Sequence, residues 1–227
     1  MTPKSPLAAG MLGLALVALA VPAVHSQESG DPGFQVIFDG SSAAGWINNR
    51  NGEPIPTTNV QEDGLNPHGS GAYVVLYNQP VQNFILDFDY KLAPGCNSGV
   101  FVRVSDREDP VNTGLEVAID DTEGAGLHDT GAIYDLVPAT ENAQRPAGEW
   151  NHMTIVAFGP VVSVLLNGRL VSEIHQDRFE EPGKRPDGSN HKFKGVAIKD
   201  LIQEGYFGFQ DHGQDCWYRD VKLRVLD

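Results

Sequence analysis

In two stretches of the chain, every second residue is a branched aliphatic one. One runs over 99–105 and the other over 115–120, and a polar segment with Pro110 and Gly114 separates them. Because the side chains of a strand point alternately to its two faces, each stretch predicts a β-strand with one face on a core. Each strand therefore also has a second face that is free to carry chemistry.

The second face of these two strands is unusually rich in functional groups. In the first strand, Val100, Val102 and Val104 are predicted to face the core. In the second strand the core set is Leu115, Val117 and Ile119. The residues predicted to share the opposite face are Phe101, Arg103, Glu116, Ala118 and Asp120. An aromatic ring, a guanidinium and two carboxylates on one face predict the floor of a ligand site.

The rest of the chain predicts further short strands separated by Gly and Pro turns. The predicted strands are 34–40, 72–77, 84–92, 153–158, 161–166, 205–209 and 217–226. Asn167-Gly168, between two apolar runs, is the strongest hairpin signal. No long segment keeps a helical period, so the chain is predicted to be all-β, with a jelly-roll β-sandwich as its architecture.

The amino terminus predicts a secretory signal peptide over residues 1–26. A basic start at Lys4 precedes an apolar stretch over 7–21 and small residues that end at Ser26. That stretch is short for a bilayer span and lacks a basic stop-transfer flank, which disfavours a membrane anchor. We therefore expect a periplasmic or extracellular protein, with a polar leader over 27–33 and one domain over 34–227.

The net charge excludes some classes of binding partner, and the two cysteines leave two redox states open. The formal net charge of −14 argues against nucleic acid and anionic membranes as partners, and no other stretch is long and apolar enough to span a membrane. The two cysteines, Cys96 and Cys216, are compatible with a disulfide in an oxidising compartment or with two separate thiols.

The spacing of the two carboxylates argues against ordinary glycosidase chemistry. Glu116 and Asp120 lie four residues apart on one strand, so their Cα atoms should be about 13 Å apart. A retaining glycosidase needs its carboxyl groups about 5–5.5 Å apart and an inverting one about 6.5–9.5 Å. The position between them is Ala118. A plain endoglucanase is therefore disfavoured.

Three other features have both a functional and a structural interpretation. His212 follows an aromatic strand and is either a general acid or base or a histidine held by a local backbone bond. Arg103 either clamps a ligand oxygen or pairs with Glu116 across the sheet. A mostly acidic group suggests calcium, which prefers oxygen ligands, but this group lacks EF-hand spacing, so we expect no cofactor. Its members are Asp120, Asp121, His128 and Asp129.

Several stretches together resemble one family. They are FDGSSAAGW (38–46), PGCNSGVFVR (94–103), GLEVAIDD (114–121), TGAIYDL (130–136), RPAGEWNHMTIVAFGPVVSVLLNGRLV (145–171) and GYFGFQDHGQDCWYRDVKLRVL (205–226). In order, and over nearly all of 34–227, they resemble the 3-keto-disaccharide hydrolase domain family. The resemblance implies a concanavalin-like jelly roll of the lectin and glucanase type, and it implies action on glycosides oxidised at C3 of the sugar.

The resemblance also implies a mechanism that does not need a carboxylate pair. A C3 ketone acidifies the proton on C2, so one base can remove that proton and expel the C1 substituent, with water added later. The implied base is Glu116 or His212, with Arg103 orienting the sugar oxygens. The remaining implied substrate contacts are Asn97, Phe101, Asp120 and Gln210. Position 118, often Gln in the family pattern, is Ala118 here.

The predicted function is therefore an exported enzyme that cleaves the glycosidic bond of 3-keto-glycosides, an oligosaccharide or glycoside being its substrate. The alternative is a non-catalytic, lectin-like carbohydrate-binding domain, because a fold does not determine a function.

Overall fold

The computed structural model describes Met1 and residues 33–227, and residues 33–227 belong to one compact unit. Apart from Met1, the predicted signal peptide lies outside the described residues, as does most of the polar leader. Within 33–227 the strands are β1 Gln35–Phe38, β2 Trp46–Asn48, β3 Val60–Gln61, β4 Gly64–Leu65, β5 Val74–Tyr77, β6 Phe84–Leu92, β7 Asn97–Val104, β8 Leu115–Asp120, β9 Trp150–Phe158, β10 Val161–Leu166, β11 Arg169–His175, β12 Tyr206–Gln210 and β13 Cys216–Val225. The helical turns are Thr57–Asn59, α1 Pro110–Thr113, Gln176–Arg178 and Ile198–Asp200.

The strands form two antiparallel sheets that pack face to face. The larger sheet has the order β11-β10-β9-β6-β13-β4-β3, and β1 also pairs with β13. The smaller sheet has the order β2-β5-β12-β7-β8. This is the predicted all-β jelly-roll sandwich. Among the described residues no helix is both long and apolar enough to cross a membrane.

The core lies between the sheets and follows from the alternation within each strand. In β6, buried and half-buried residues alternate along its whole length, as the sequence predicts. Phe209 of the smaller sheet stacks on Tyr218 of the larger one, with ring centroids 3.8 Å apart, and Phe88 packs against both rings. Burying one such side chain contributes about 1.5–3 kcal/mol, so this cluster holds the two sheets together.

The hairpin between β10 and β11 confirms the predicted Asn167-Gly168 turn. Both residues have positive φ, 50° for Asn167 and 81° for Gly168. A two-residue turn with positive φ at both positions matches the right-handed twist of the flanking strands, and Asn-Gly adopts it with little strain.

One part of the predicted alternation in β7 is wrong. Arg103 has a φ of 56°, and the pairing of β7 with β12 gains an extra residue on β7 at this point. This bulge reverses the direction of the side chains that follow. Val104 therefore packs with Phe101 on the outer face of the smaller sheet. The Arg103 guanidinium turns the other way and donates hydrogen bonds to the Gln176 side chain and the Gly159 carbonyl.

The outer face of the smaller sheet has an apolar part and a polar part. The apolar part contains buried side chains of β2, β5 and β7, and α1 covers it through Val111. Its buried members are Ile47, Val74, Leu76, Phe101 and Val104. The polar part lies beside it, over β7, β8 and the end of β12.

The two cysteines are thiols in this structure rather than a disulfide. Both side chains are buried in the core. Burial, and secondarily the neighbouring Cys96 thiol, raises the pKa of Cys216 well above its usual value. The two thiols are therefore neighbours, although the sequence separates them widely.

Candidate active site

A cavity of about 480 Å³ opens on the polar part of the outer face of the smaller sheet. It is one of several surface cavities of similar volume, and it is distinguished by a buried carboxylate in its wall. The lining residues are Tyr73, Asn97, Val111, Glu116, His128, Tyr134, Asp135, Lys192, Gln210 and His212. We refer to it below as the pocket.

Glu116 lies on β8, and its neighbour strand makes room for it. Its side chain points to the outer face, and the residue is only 7% exposed. A Cβ atom on Gly99 of β7 would lie 3.0 Å from Glu116 Oε1 and 3.1 Å from its Cγ. A glycine at position 99 thus allows the carboxylate to lie against the sheet. Burial raises the pKa of Glu116 to about 7, and the charge of Lys192 opposes that rise.

Lys192 brings a positive charge to this carboxylate. Its Nζ lies 3.8 Å from Glu116 Oε2 and within about 5 Å of the centres of the Tyr134 and Phe193 rings. Burial lowers the pKa of Lys192. The residue comes from a polar segment, 176–194, whose role the sequence does not reveal. Nothing in the local sequence His191-Lys192-Phe193-Lys194 indicates that Lys192 returns to a strand 76 positions earlier in the chain.

Gln210 closes the pocket on the β12 side. Its Nε2 donates to the Tyr73 hydroxyl over 2.7 Å. Its Oε1 is buried without a hydrogen-bond partner among the described residues, and it lies 3.3 Å from the Cβ position that Gly99 lacks. Burial and the nearby Glu116 carboxylate raise the pKa of Tyr73. The pocket therefore has an unpaired hydrogen-bonding atom beside its carboxylate.

The loop that follows β8 forms the opposite wall. The Tyr134 amide donates to the Glu116 carbonyl over 2.8 Å, which joins this loop to β8. The His128 ring stacks on the Tyr134 ring with centroids 4.5 Å apart. Burial first, and then the nearby Glu116 carboxylate, raises the pKa of Tyr134. Phenol, imidazole and ammonium groups thus line the pocket together with the Glu116 and Asp135 carboxylates.

The structure brings together four of the site residues predicted from the sequence. Glu116, Asn97, Gln210 and His212 all line the pocket, with His212 exposed at its rim. Asp120 pairs in register with Asn97 but lies outside the lining residues. Burial raises the pKa of Asp120, and the nearby His212 opposes that rise.

Two predicted site residues lie elsewhere. Phe101 is fully buried in the apolar part of the outer face, where its ring packs against Tyr73 with centroids 6.2 Å apart. Arg103 is also buried, and its guanidinium contacts Gln176 and Gly159 rather than Glu116. Burial lowers the pKa of Arg103 to about 10. The prediction that Arg103 faces Glu116 is wrong because the β7 bulge turns it inwards.

The acidic residues that suggested calcium serve local structure. Asp129 accepts hydrogen bonds from the Thr122 hydroxyl and the Gly126 amide, and Asp121 accepts one from the Gly95 amide. Over 33–227, no group of three or more His, Cys, Asp or Glu side chains is arranged to hold a metal ion.

An all-β sandwich with a polar, carboxylate-bearing pocket on the outer face of one sheet is suited to binding a polar small molecule. Residues 33–224 match the 3-keto-alpha-glucoside-1,2-lyase-like domain, and the chain belongs to this family. The family that the sequence motifs predict is therefore confirmed.

Individual relatives agree with this assignment. A 3-keto-disaccharide hydrolase from Bacteroides thetaiotaomicron is 26% identical over 242 residues, which cover 86% of this chain and 79% of that protein. A solved structure of a "putative glycosyl hydrolase" from Parabacteroides distasonis is 32% identical and has a TM-score of 0.64, over 67% of this chain and 83% of that one. A second such protein from the same organism, 20% identical, shares the fold with a TM-score of 0.71 over 86% and 95% of the two chains. These relatives support an enzyme that cleaves glycosides.

Proposed function

We propose that the protein cleaves the glycosidic bond of glycosides that carry a ketone at C3, with Glu116 as the base that removes the proton on C2. One observation carries the proposal: a buried carboxylate whose pKa is raised to about 7 faces an ammonium group across 3.8 Å in a polar pocket. The matched family and the curated relative supply the substrate class.

The raised pKa suits Glu116 to proton abstraction beside a carbonyl. A base works best when its pKa lies near the operating pH, because it is then both ionised and strong enough to take the proton. An exposed glutamate, with a pKa of about 4.3, is ionised but weak. Burial of Glu116 shifts it into the useful range. The C2 proton of a 3-keto-sugar is the acidic one, since its removal gives an enolate delocalised onto the C3 oxygen.

Lys192 is proposed to stabilise that enolate oxygen. A separation of 3.8 Å is longer than a hydrogen bond, so the ammonium and the carboxylate both keep hydrogen-bonding capacity for substrate atoms placed beside them in the pocket. A fixed positive charge in a water-poor site stabilises developing negative charge strongly, because it needs no rearrangement during the reaction. The neighbouring Tyr134 phenol is a second donor for the same oxygen.

The remaining steps of the reaction need water as the only further reactant. The C2 proton passes to Glu116, the enolate reforms the C3 ketone, a C1–C2 double bond forms, and the C1–O bond to the leaving group breaks. We assign His212, exposed at the rim, as the group that protonates the leaving oxygen. Water then adds across the double bond, with its oxygen at C1 and a proton at C2. The net reaction is hydrolysis, and stopping before hydration is lyase activity.

A comparison of two sugars tests the proposal. Purified protein is incubated with a 3-keto-disaccharide and with the unoxidised parent disaccharide, and the released monosaccharide is quantified for each. We expect release from the keto form alone, and we expect Glu116→Gln to abolish it. Binding of the keto form without any release would contradict the proposal and favour the lectin-like alternative.

A further inference from the structure

We propose that Asp135 is a positioning residue that fastens the segment 176–194 over the pocket, so that the Lys192 ammonium group faces the Glu116 carboxylate. This segment is called the strap below. The catalytic consequence rests on the proposed function, whereas the fastening itself can be measured without substrate.

The strap connects the two sheets of the sandwich. It begins at the Gln176–Arg178 helical turn, directly after β11 at the edge of the larger sheet. It then folds back on itself, with a bridge between Lys184 and Asn190, before Lys192 reaches the pocket on the outer face of the smaller sheet. A segment that leaves one sheet and acts at the other needs an anchor where it acts.

Asp135 provides that anchor with both carboxylate oxygens and its carbonyl. Oδ1 lies 2.6 Å from Arg185 Nη2, and Oδ2 accepts a hydrogen bond from the Lys192 amide over 2.7 Å. The Asp135 carbonyl accepts two more hydrogen bonds from the Arg185 guanidinium, 3.1 Å from Nε and 2.6 Å from Nη2. The Arg185 and Asp135 side chains are only 11% and 20% exposed, so solvent screens this pair less than a surface pair.

Tyr134, the residue directly before Asp135, is hydrogen-bonded to the strand that carries Glu116. The Tyr134 amide donates to the Glu116 carbonyl, while Asp135 holds the strap. Asp135 has a φ of 58°, in the left-handed region that Asp and Asn tolerate better than most residues. Lys192 Nζ lies 3.8 Å from Glu116, beyond hydrogen-bond length. The hydrogen bond from the Lys192 amide to Asp135, rather than a direct bond to Glu116, therefore holds this part of the strap at the pocket.

Release of the strap should change the charge that Glu116 experiences. The titratable groups that line the pocket with Glu116 come from every element around it: Lys192 on the strap, His128, Tyr134 and Asp135 on the wall, Tyr73 before β5 and His212 after β12. Lys192 is the member of this set that lowers the pKa of Glu116. The Glu116 carboxylate stays packed against Gly99 of β7 when Lys192 is withdrawn, so the opposing charge is lost and the pKa of Glu116 rises.

The contacts of Asp135 with Arg185 and with the Lys192 amide are called the latch below, and the test uses two latch variants and a control. Asp135→Gly suits the left-handed backbone and removes both the acceptor of the Lys192 amide and the charge that pairs with Arg185. Arg185→Gln removes the other partner and serves if Asp135→Gly folds poorly. Glu141→Gln breaks an exposed ion pair with Arg169, next to β11 and outside the pocket, and is the control.

The Glu116 carboxyl is titrated by NMR in protein with ¹³C-labelled glutamate, the signal being assigned by its loss in Glu116→Gln. We expect a higher pKa of Glu116 in both latch variants and an unchanged value in the control. We also expect the latch variants to lose about 100-fold in kcat/KM, which is typical of a catalytic group displaced by about 1 Å. A pKa of Glu116 that rises in the latch variants, combined with a wild-type protein that cleaves no 3-keto-glycoside, would support the latch and contradict the proposed function. Folded latch variants with wild-type pKa and wild-type rate would overturn the latch.

Discussion

Replacement of Lys192 by Met tests the electrostatic basis of the site. Met is similar in length to the Lys stem and fills the same space between the Tyr134 and Phe193 rings, but it carries no charge. Because Lys192 opposes the effect of burial on Glu116, its removal should raise the pKa of Glu116 above its present value of about 7.

The size of the effect follows from the geometry. Two unit charges 3.8 Å apart interact by about 4 kcal/mol at an effective dielectric constant of about 20. One pKa unit corresponds to about 1.36 kcal/mol, so complete loss of this interaction is worth about 3 units. Water that enters beside the uncharged Met side chain reduces this value, and we expect the pKa of Glu116 to rise by at least about one unit.

The assay is the pH dependence of kcat/KM on a 3-keto-disaccharide. Glu116 must be ionised to act as a base, so the wild-type rate should rise with pH through about 7. In Lys192→Met this inflection should move above 8, and the maximal rate should fall by about 100- to 1000-fold through loss of oxyanion stabilisation. Lys192→Arg, which keeps the charge, should keep the inflection near 7. An inflection in Lys192→Met that stays at its wild-type position or moves to lower pH would refute the reasoning.

Four further predictions address neighbouring features. Glu116→Gln should stabilise the fold at pH 8 by about 3 kcal/mol but not at pH 4, as measured by urea unfolding. The sign follows because the folded-state pKa lies above the ordinary value of 4.5, so ionisation between pH 4.5 and 7 costs native stability. Gly99→Ala should lower kcat/KM about tenfold in a folded protein, since a Cβ 3.0 Å from the carboxylate forces it to shift. Arg103→Ala should cost about 2–4 kcal/mol in denaturant unfolding, because a buried and a partly buried acceptor lose their donor, while the rate per folded molecule changes little. We also propose export: amino-terminal sequencing of the protein from its producing cells should begin after Ser26, and an intact Met1 would contradict this.

Much of the fold could be predicted from local pattern alone. The alternation in 84–92 and 115–120 predicts strands that coincide with β6 and β8, because a half-buried strand shows which face is apolar. The apolar run 161–166, bounded by turn signals, coincides with β10. The turn at Asn167-Gly168 could be predicted because its backbone angles favour these two residues. Short strands such as β3 and β4, with two residues each, lack enough positions for a periodic signal.

The site could be predicted only in part, and for physical reasons. Periodicity and the family motifs indicate four pocket residues, because these lie on strands of the smaller sheet or shortly after one. They are Asn97, Glu116, Gln210 and His212. The direction of Arg103 depends on a one-residue bulge, which the pattern of apolar residues does not show.

Lys192 could not be placed from local pattern. Its position depends on a long segment that crosses between sheets and is held by Asp135, and such long-range contacts leave no periodic signal. Its partner Asp135 is equally hidden, because the left-handed backbone at this position gives no pattern in the sequence.

The central claim is that Glu116 removes the proton on C2 of a 3-keto-sugar. The most direct test incubates the protein with a 3-keto-disaccharide in D₂O and measures deuterium at C2 of the released keto-sugar by mass spectrometry and NMR. A no-enzyme control run in parallel subtracts spontaneous exchange. The account predicts one deuterium at C2 in every product molecule, because elimination removes the original proton and hydration supplies a solvent deuteron. Release of keto-sugar that retains its original C2 proton would show direct hydrolysis and contradict the account.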